Sequence, residues 1–198
     1  MVYAKTNLNC KELTGEHFDK FNQCCAITVK TTANSYLNIV LVYRPHNLYN
    51  GGDVTDNNDL LCQMFRNIPK NCVIVGDFNF SEIDWETNGC SARSKMFLDT
   101  LNDLFLTQMI DFRTHKSGTM PDLIITDNTN LITDIDNLGP LGSSDHFLLK
   151  VNLRIDPFRT KKFVRVRDWQ KANFQVLKEN VKNVSWEDLL AGKDAQQA

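Results

Sequence analysis

The stretch Cys72-Val73-Ile74-Val75-Gly76-Asp77-Phe78-Asn79 limits the architecture of this chain more than any other. Its four leading apolar residues do not alternate with polar ones, the pattern of a short strand buried on both faces. Such a strand needs a covering layer on each side, which selects a layered α+β or α/β/α sandwich. The run then ends abruptly in polar groups. Asp77 and Asn79 therefore stand just past the C-terminal end of a rigid central element, where side chains can converge on a ligand.

The flanking sequence supplies the layers. Cys25-Ala26-Ile27-Thr28-Val29 and Tyr36-Leu37-Asn38-Ile39-Val40-Leu41-Val42-Tyr43 surround a short polar connection and read as a β-hairpin. Asp56–Ile68 reads as a helix with Leu60, Leu61, Met64, Phe65 and Ile68 on one face and Thr55 or Asp56 as its cap. A second helix is expected over about Ser94–Phe105, with Phe97, Leu101, Leu104 and Phe105 inward. Thr107–Phe112, Leu123–Thr126 and Phe147–Leu153 are strand candidates, and Leu131–Leu138 a less clear one. Apolar periodicity fades after Leu153, which places a boundary between residues 1–153 and 154–198; within the latter, Asp168–Val181 and Trp186–Leu190 look helical.

Charge follows the same boundary. Up to Leu153 there are 12 Lys+Arg against 18 Asp+Glu, a net of −6; from Arg154 onward there are 10 against 6, a net of +4. An acidic body suits a cation, and a basic extension suits either a polyanion or plain solvent. The six cysteines have no CxxC spacing, so they are read as reduced thiols, neither a disulfide framework nor a zinc site. No apolar run is long enough for a membrane span, and the first residues carry no signal-peptide core. The expectation is an intracellular protein of nucleus or cytoplasm, not a secreted one.

Three polar clusters each sit at the edge of a strand candidate: Gly76-Asp77-Phe78-Asn79, Asp122 opening Leu123-Ile124-Ile125-Thr126, and Ser144-Asp145-His146 before Phe147. Each is weak alone, since Asp and Asn also favour ordinary turns. Their order and strand context together are specific, and they resemble the endonuclease/exonuclease/phosphatase family in the order that family uses. Val42-Tyr43-Arg44-Pro45 resembles its tyrosine-bearing strand end, in the form typical of apurinic-type endonuclease domains of LINE-like, non-LTR retrotransposons. Ile83-Asp84-Trp85 and the Arg/Lys-rich stretch leading to Asp168-Trp169 are similar to the same branch.

The resemblance implies a four-layer α/β/β/α sandwich with a C-terminal helical extension, and a DNA-nicking phosphodiesterase using Mg²⁺, with Mn²⁺ as an alternative. It implies that Asp77 orients or activates the attacking water and that Asn79 hydrogen-bonds the phosphate. His146 would contact the scissile phosphate, oriented by Asp122, while Tyr43 donates to a phosphate oxygen and Asp145 helps hold the metal. DNA is the implied partner, with a reverse transcriptase domain in the parent polyprotein.

One departure matters. The family's asparagine on the first strand and its metal-binding glutamate have no counterpart here; Met1–Lys5 resembles the end of a later strand, and Glu12 and Glu16 read as loop residues. An N-terminally incomplete domain, impaired in turnover and exposing an apolar sheet face or edge, is therefore expected. A non-catalytic remnant that binds nucleic acid through its basic tail is the alternative. A relative of inositol phosphatases or sphingomyelinases is a third reading, against which the Tyr-Arg-Pro and Ile-Asp-Trp features speak. His17, His46 and His115 have no partner in the sequence and are given no role, and Asp84, Glu86 and Asp127 are read as solvated acids.

Overall fold

A computed structural model describes residues 2–32, 34–45, 54–155 and 171–192. The chain divides into two compact units, Met1–Thr160 and Lys161–Ala198.

The first unit is built on a six-stranded sheet. In chain order its strands are β1 (Cys10–Glu12), β2 (Cys24–Lys30), β3 (Tyr36–Tyr43), β4 (Cys72–Asp77), β5 (Thr107–Gln108) and β6 (Asp122–Thr126), and in space they run β1-β2-β3-β4-β6-β5. The expected hairpin is β2–β3, paired from Cys24 opposite Val42 to Lys30 opposite Tyr36. β3 and β4 are parallel and joined through helix α2 (Val54–Asn67); every other pairing in the sheet is antiparallel. The double-sided strand is β4, in the middle of the order.

Period-two alternation along the central strands sorts side chains onto two faces. Val40, Val42, Ile74, Leu123 and Ile125 turn toward α2 and helix α3 (Ala92–Asp103), packing with Leu61, Met64, Phe65, Phe97 and Leu101. Their neighbours Leu37, Val73 and Ile124 turn the other way, toward a two-stranded antiparallel sheet of β7 (Ile132–Pro140) and β8 (Phe147–Leu153). The protein is thus a mixed α+β fold with helices over one face of its central sheet and a β-hairpin over the other. A short helix α1 (Glu16–Lys20) precedes β2, while α4 (Phe174–Lys182) and α5 (Trp186–Leu190) form the described part of the second unit. Among the described residues, no helix is long and apolar enough to cross a membrane.

Several expectations require correction. Thr107–Phe112 pairs only at its first two residues. The amide nitrogen of Gln108 donates to Ile110 O at 2.8 Å and its oxygen accepts from Ile110 N–H, so the backbone groups that would continue the ladder are satisfied locally. Residues 2–5 form no strand, and a turn closes there with Leu8 N donating to Lys5 O. Glu12 ends β1 and Glu16 opens α1, so neither lies in a loop. Asp127 is not simply solvated: its carboxylate accepts from the backbone N–H groups of Asn71 and Cys72 at 2.7 and 2.8 Å, anchoring the start of β4. Helix α2 begins at Val54, ahead of the expected caps, and Asp168–Trp169 lie outside the described residues.

Candidate active site

The sheet register gathers the strand-end residues. Tyr43, the last residue of β3, is paired with Asp77, the last of β4, and Asp77 is paired in turn with Asp122, the first of β6. Three adjacent strands thus present Tyr43, Asp77 and Asp122 side by side along one end of the sheet. Asp145 and His146 arrive from the loop before β8.

His146 Nδ1 lies 3.0 Å from Asp122 Oδ2 and 3.2 Å from Oδ1, which leaves Nε2 as the ring nitrogen available to a substrate. Partial burial pulls the His146 pKa down. The hydrogen bond and charge of Asp122, with the charges of Asp77 and Asp145, outweigh that pull and raise it above its ordinary value. Asp77 is also raised, first by burial and then by the neighbouring Asp122 charge, while His146 and hydrogen bonds from Asn79 act in the opposite sense. Its Oδ1 is buried with no hydrogen-bond partner.

Gly76 lets β4 approach β3 closely. A Cβ at this position, where φ is +153°, would meet Val42 O at 1.8 Å, so the residue before Asp77 has to be glycine. Past the strand, Asn79 adopts φ of 51°, a left-handed conformation that asparagine tolerates better than most residues. One of its amide protons is donated to Arg44 O at 2.8 Å; an amide nitrogen carries a second.

Arg44 is the residue the sequence reading missed in this turn. It is buried, its Nε donates to Asn58 Oδ1 at 2.8 Å, and Nη1 donates to the carbonyls of Phe78 and Asn79 at 3.1 and 3.2 Å. Its guanidinium lies 4.0 Å over the Phe80 ring. Burial lowers its pKa, with the Glu82 charge opposing. Arg44 thereby clamps the backbone that carries Asp77 and Asn79. A charged residue following a strand gives no hint of this, because Asn58 and Phe80 are remote in sequence.

Comparisons with known proteins bear on the family and the fold. Residues 37–150, more than half of the 198-residue chain, match the family model described as endonuclease-reverse transcriptase. The chain belongs to the endonuclease-reverse transcriptase family. The fold is similar to the endonuclease domain of TRAS1, a telomere-specific non-LTR retrotransposon, with a TM-score of 0.57 over 76% of this chain and 69% of that one, at 18% identity. Among curated proteins no sequence relative matches.

Within this family frame, the implied Mg²⁺ can be tested against the donors present. The unpartnered Asp77 Oδ1 is an atom that a cation would satisfy. Asp145 is mostly exposed, and its Oδ1 lies 3.6 Å from Lys116 Nζ. No group of three His, Cys, Asp or Glu gathers to hold one ion among the described residues. Mg²⁺ takes only one or two protein carboxylates and completes its octahedron with water, so Asp77 is the described donor best placed to hold it.

A cleft of about 450 Å³ runs beside the site, between the central sheet and β8. Leu41, Val75, Leu149 and Val151 line it with Tyr43, Asp77 and Asp122, and these four apolar residues are only half-buried.

Proposed function

We propose that this family member is a phosphodiesterase-type domain of a non-LTR retrotransposon protein that engages DNA at the Tyr43-Asp77-Asp122-His146 end of its sheet. The observation that carries this reading is the Asp122–His146 pair, held at 3.0 Å beside the half-buried Asp77. Asp122 fixes one ring nitrogen of His146, and the raised pKa favours an imidazolium whose Nε2–H can donate to a phosphate oxygen. Asp77, raised by burial and by Asp122, is a better proton acceptor for water than an ordinary carboxylate. Tyr43, mostly exposed at the same end, supplies a further donor to the phosphate, and the Asn79 amide reaches it by giving up its hydrogen bond to Asp77.

Mg²⁺ or Mn²⁺ belongs to the proposal through the family, with Asp145 as its suggested ligand. With few carboxylates to share the ion among the described residues, weak metal binding and low turnover are expected. The purified chain should nick supercoiled plasmid in Mg²⁺ no more than marginally above a His146→Ala control. Robust, His146-dependent nicking would show that the donors present suffice, overturning the low-turnover reading. Duplex DNA should bind about tenfold more weakly after His146→Ala, the effect of one charge-assisted hydrogen bond. Binding that ignores His146→Ala, Asn79→Ala and Tyr43→Phe alike would remove the site itself.

A non-catalytic nucleic-acid-binding domain is the second reading, favoured by the lack of a three-donor group among the described residues. Trace nicking that disappears in His146→Ala decides against it.

A further inference from the structure

His115, to which the sequence assigns no partner, lies against His146. Residues 114–116 run antiparallel to residues 145–147: Lys116 N donates to Asp145 O at 2.9 Å, Phe147 N donates to Thr114 O at 2.8 Å, and His115 and His146 form the bridge between them. This is the non-hydrogen-bonded kind of antiparallel pair, in which opposing side chains lie on the same face and approach most closely. The two imidazoles meet edge to face, with centroids 4.8 Å apart and planes at 83°. The same segment reaches the other half of the dyad, because the hydroxyl of fully buried Thr114 accepts from Asp122 N at 3.2 Å. One short stretch of backbone therefore indexes both Asp122 and His146.

The His115 ring is itself fixed. Ser117 N–H donates to His115 Nδ1 at 3.0 Å, and Ser117 Oγ lies 2.7 Å from the same atom and 2.9 Å from Thr119 Oγ1. A backbone N–H can only donate, so Nδ1 is the accepting nitrogen and the proton of this ring sits on Nε2. A hydrogen bond from one nitrogen to Asp122 still allows the His146 ring to swing about that contact. A second ring packed edge to face removes the swing.

We propose that His115 is a positioning residue for His146. Its ring, anchored through Ser117, sets the direction in which His146 presents Nε2. The functional consequence rests on the reading above, in which Nε2 faces a phosphate; the packing itself does not.

The test uses ¹⁵N-labelled full chain and follows the His146 ring resonances and their NOEs to the Asp122 β protons. In His115→Ala and His115→Asn these resonances should shift and the NOEs weaken, while the His17 signals stay in place. His115→Phe, which keeps a ring against His146 and loses only the Ser117 anchor, should restore the NOEs in large part but not fully. A His146 ring unchanged in His115→Ala would overturn the proposal. So would restoration by Asn and not by Phe, since that would make a polar contact the cause. Duplex DNA affinity measured on the same variants separates the two readings. If His146→Ala leaves affinity unchanged, the DNA site fails, while the NMR result still decides whether His115 holds the ring.

Discussion

The two faces of the six-stranded sheet are filled to different depths. On the helix side, Phe65, Phe78, Phe80 and Phe97 are fully buried and touch ring to ring at centroid distances of 4.5 to 6.1 Å. On the hairpin side the buried cluster among the described residues is smaller, built on Leu37, Val73, Ile110 and Ile124, and Leu41, Val75, Leu149 and Val151 border an open cleft. The site residues lie at the mouth of that looser side, with Asp77 and Asp122 among the lining of the cleft. Close packing is thus concentrated on one face and the proposed chemistry on the border of the other. That division fits a common arrangement, in which rigid packing supports a more open functional surface.

Paired truncations put this contrast at risk. Phe97→Ala, which removes the ring shared by three aromatic contacts, should cost about 4 kcal/mol of unfolding free energy. Leu149→Ala, at a half-buried position beside the cleft, should cost about 1.5 kcal/mol. Urea unfolding of both variants measures the difference. Equal losses would mean that the hairpin face is as well packed as the helix face.

Gly76 joins the two faces, since its missing side chain lets the β3 backbone approach β4 just before Asp77. Gly76→Ala would drive a methyl group into Val42 O, and relief requires the strands to part. A loss of about 3 kcal/mol is expected. Amide shifts of residues 42–44 and 122 should move with it, because the Tyr43–Asp77–Asp122 register depends on that approach. A variant with wild-type stability would show that β3 and β4 can separate without cost.

The same contrast explains what the sequence disclosed. That Asp77, Asn79, Asp122 and His146 would come to one end of the sheet was readable because each adjoins a strand whose apolar pattern is strong, and a strand end fixes where its neighbour goes. The inward residues of the two helices were readable from the 3.6-residue period, and Leu61, Met64, Phe65, Phe97 and Leu101 all lie in the core. Arg44, Thr114 and His115 were not. Their importance depends on contacts with Asn58, Asp122 and His146, between 8 and 31 residues away in the chain, and no local pattern encodes such meetings. The overextended Thr107–Phe112 strand failed for a related reason. Its composition is strand-like, but the side chain of Gln108 satisfies the backbone of Ile110 and ends the ladder.

The smallest expected effect is a pH dependence confined to the site end. His146 is 42% exposed on its side chain and Asp122 19%, so their pairing is partly screened by solvent and contributes modestly. Its sign is nevertheless fixed by linkage. The folded-state pKa of His146 lies above the ordinary value of 6.5, so the folded protein holds this proton more tightly than the unfolded chain. The stabilisation is fully present below about pH 6.5 while Asp122 stays ionised, and it is lost as pH rises through the folded value. Wild type should therefore exceed His146→Ala in urea midpoint by more at about pH 5.5 than at about pH 9, where the imidazole is neutral in both states. Phe97→Ala, on the helix face, should show no such dependence relative to wild type. A gap between wild type and His146→Ala that is constant across this range would mean that His146 contributes packing alone, and that Asp122 does not hold it as an ion pair.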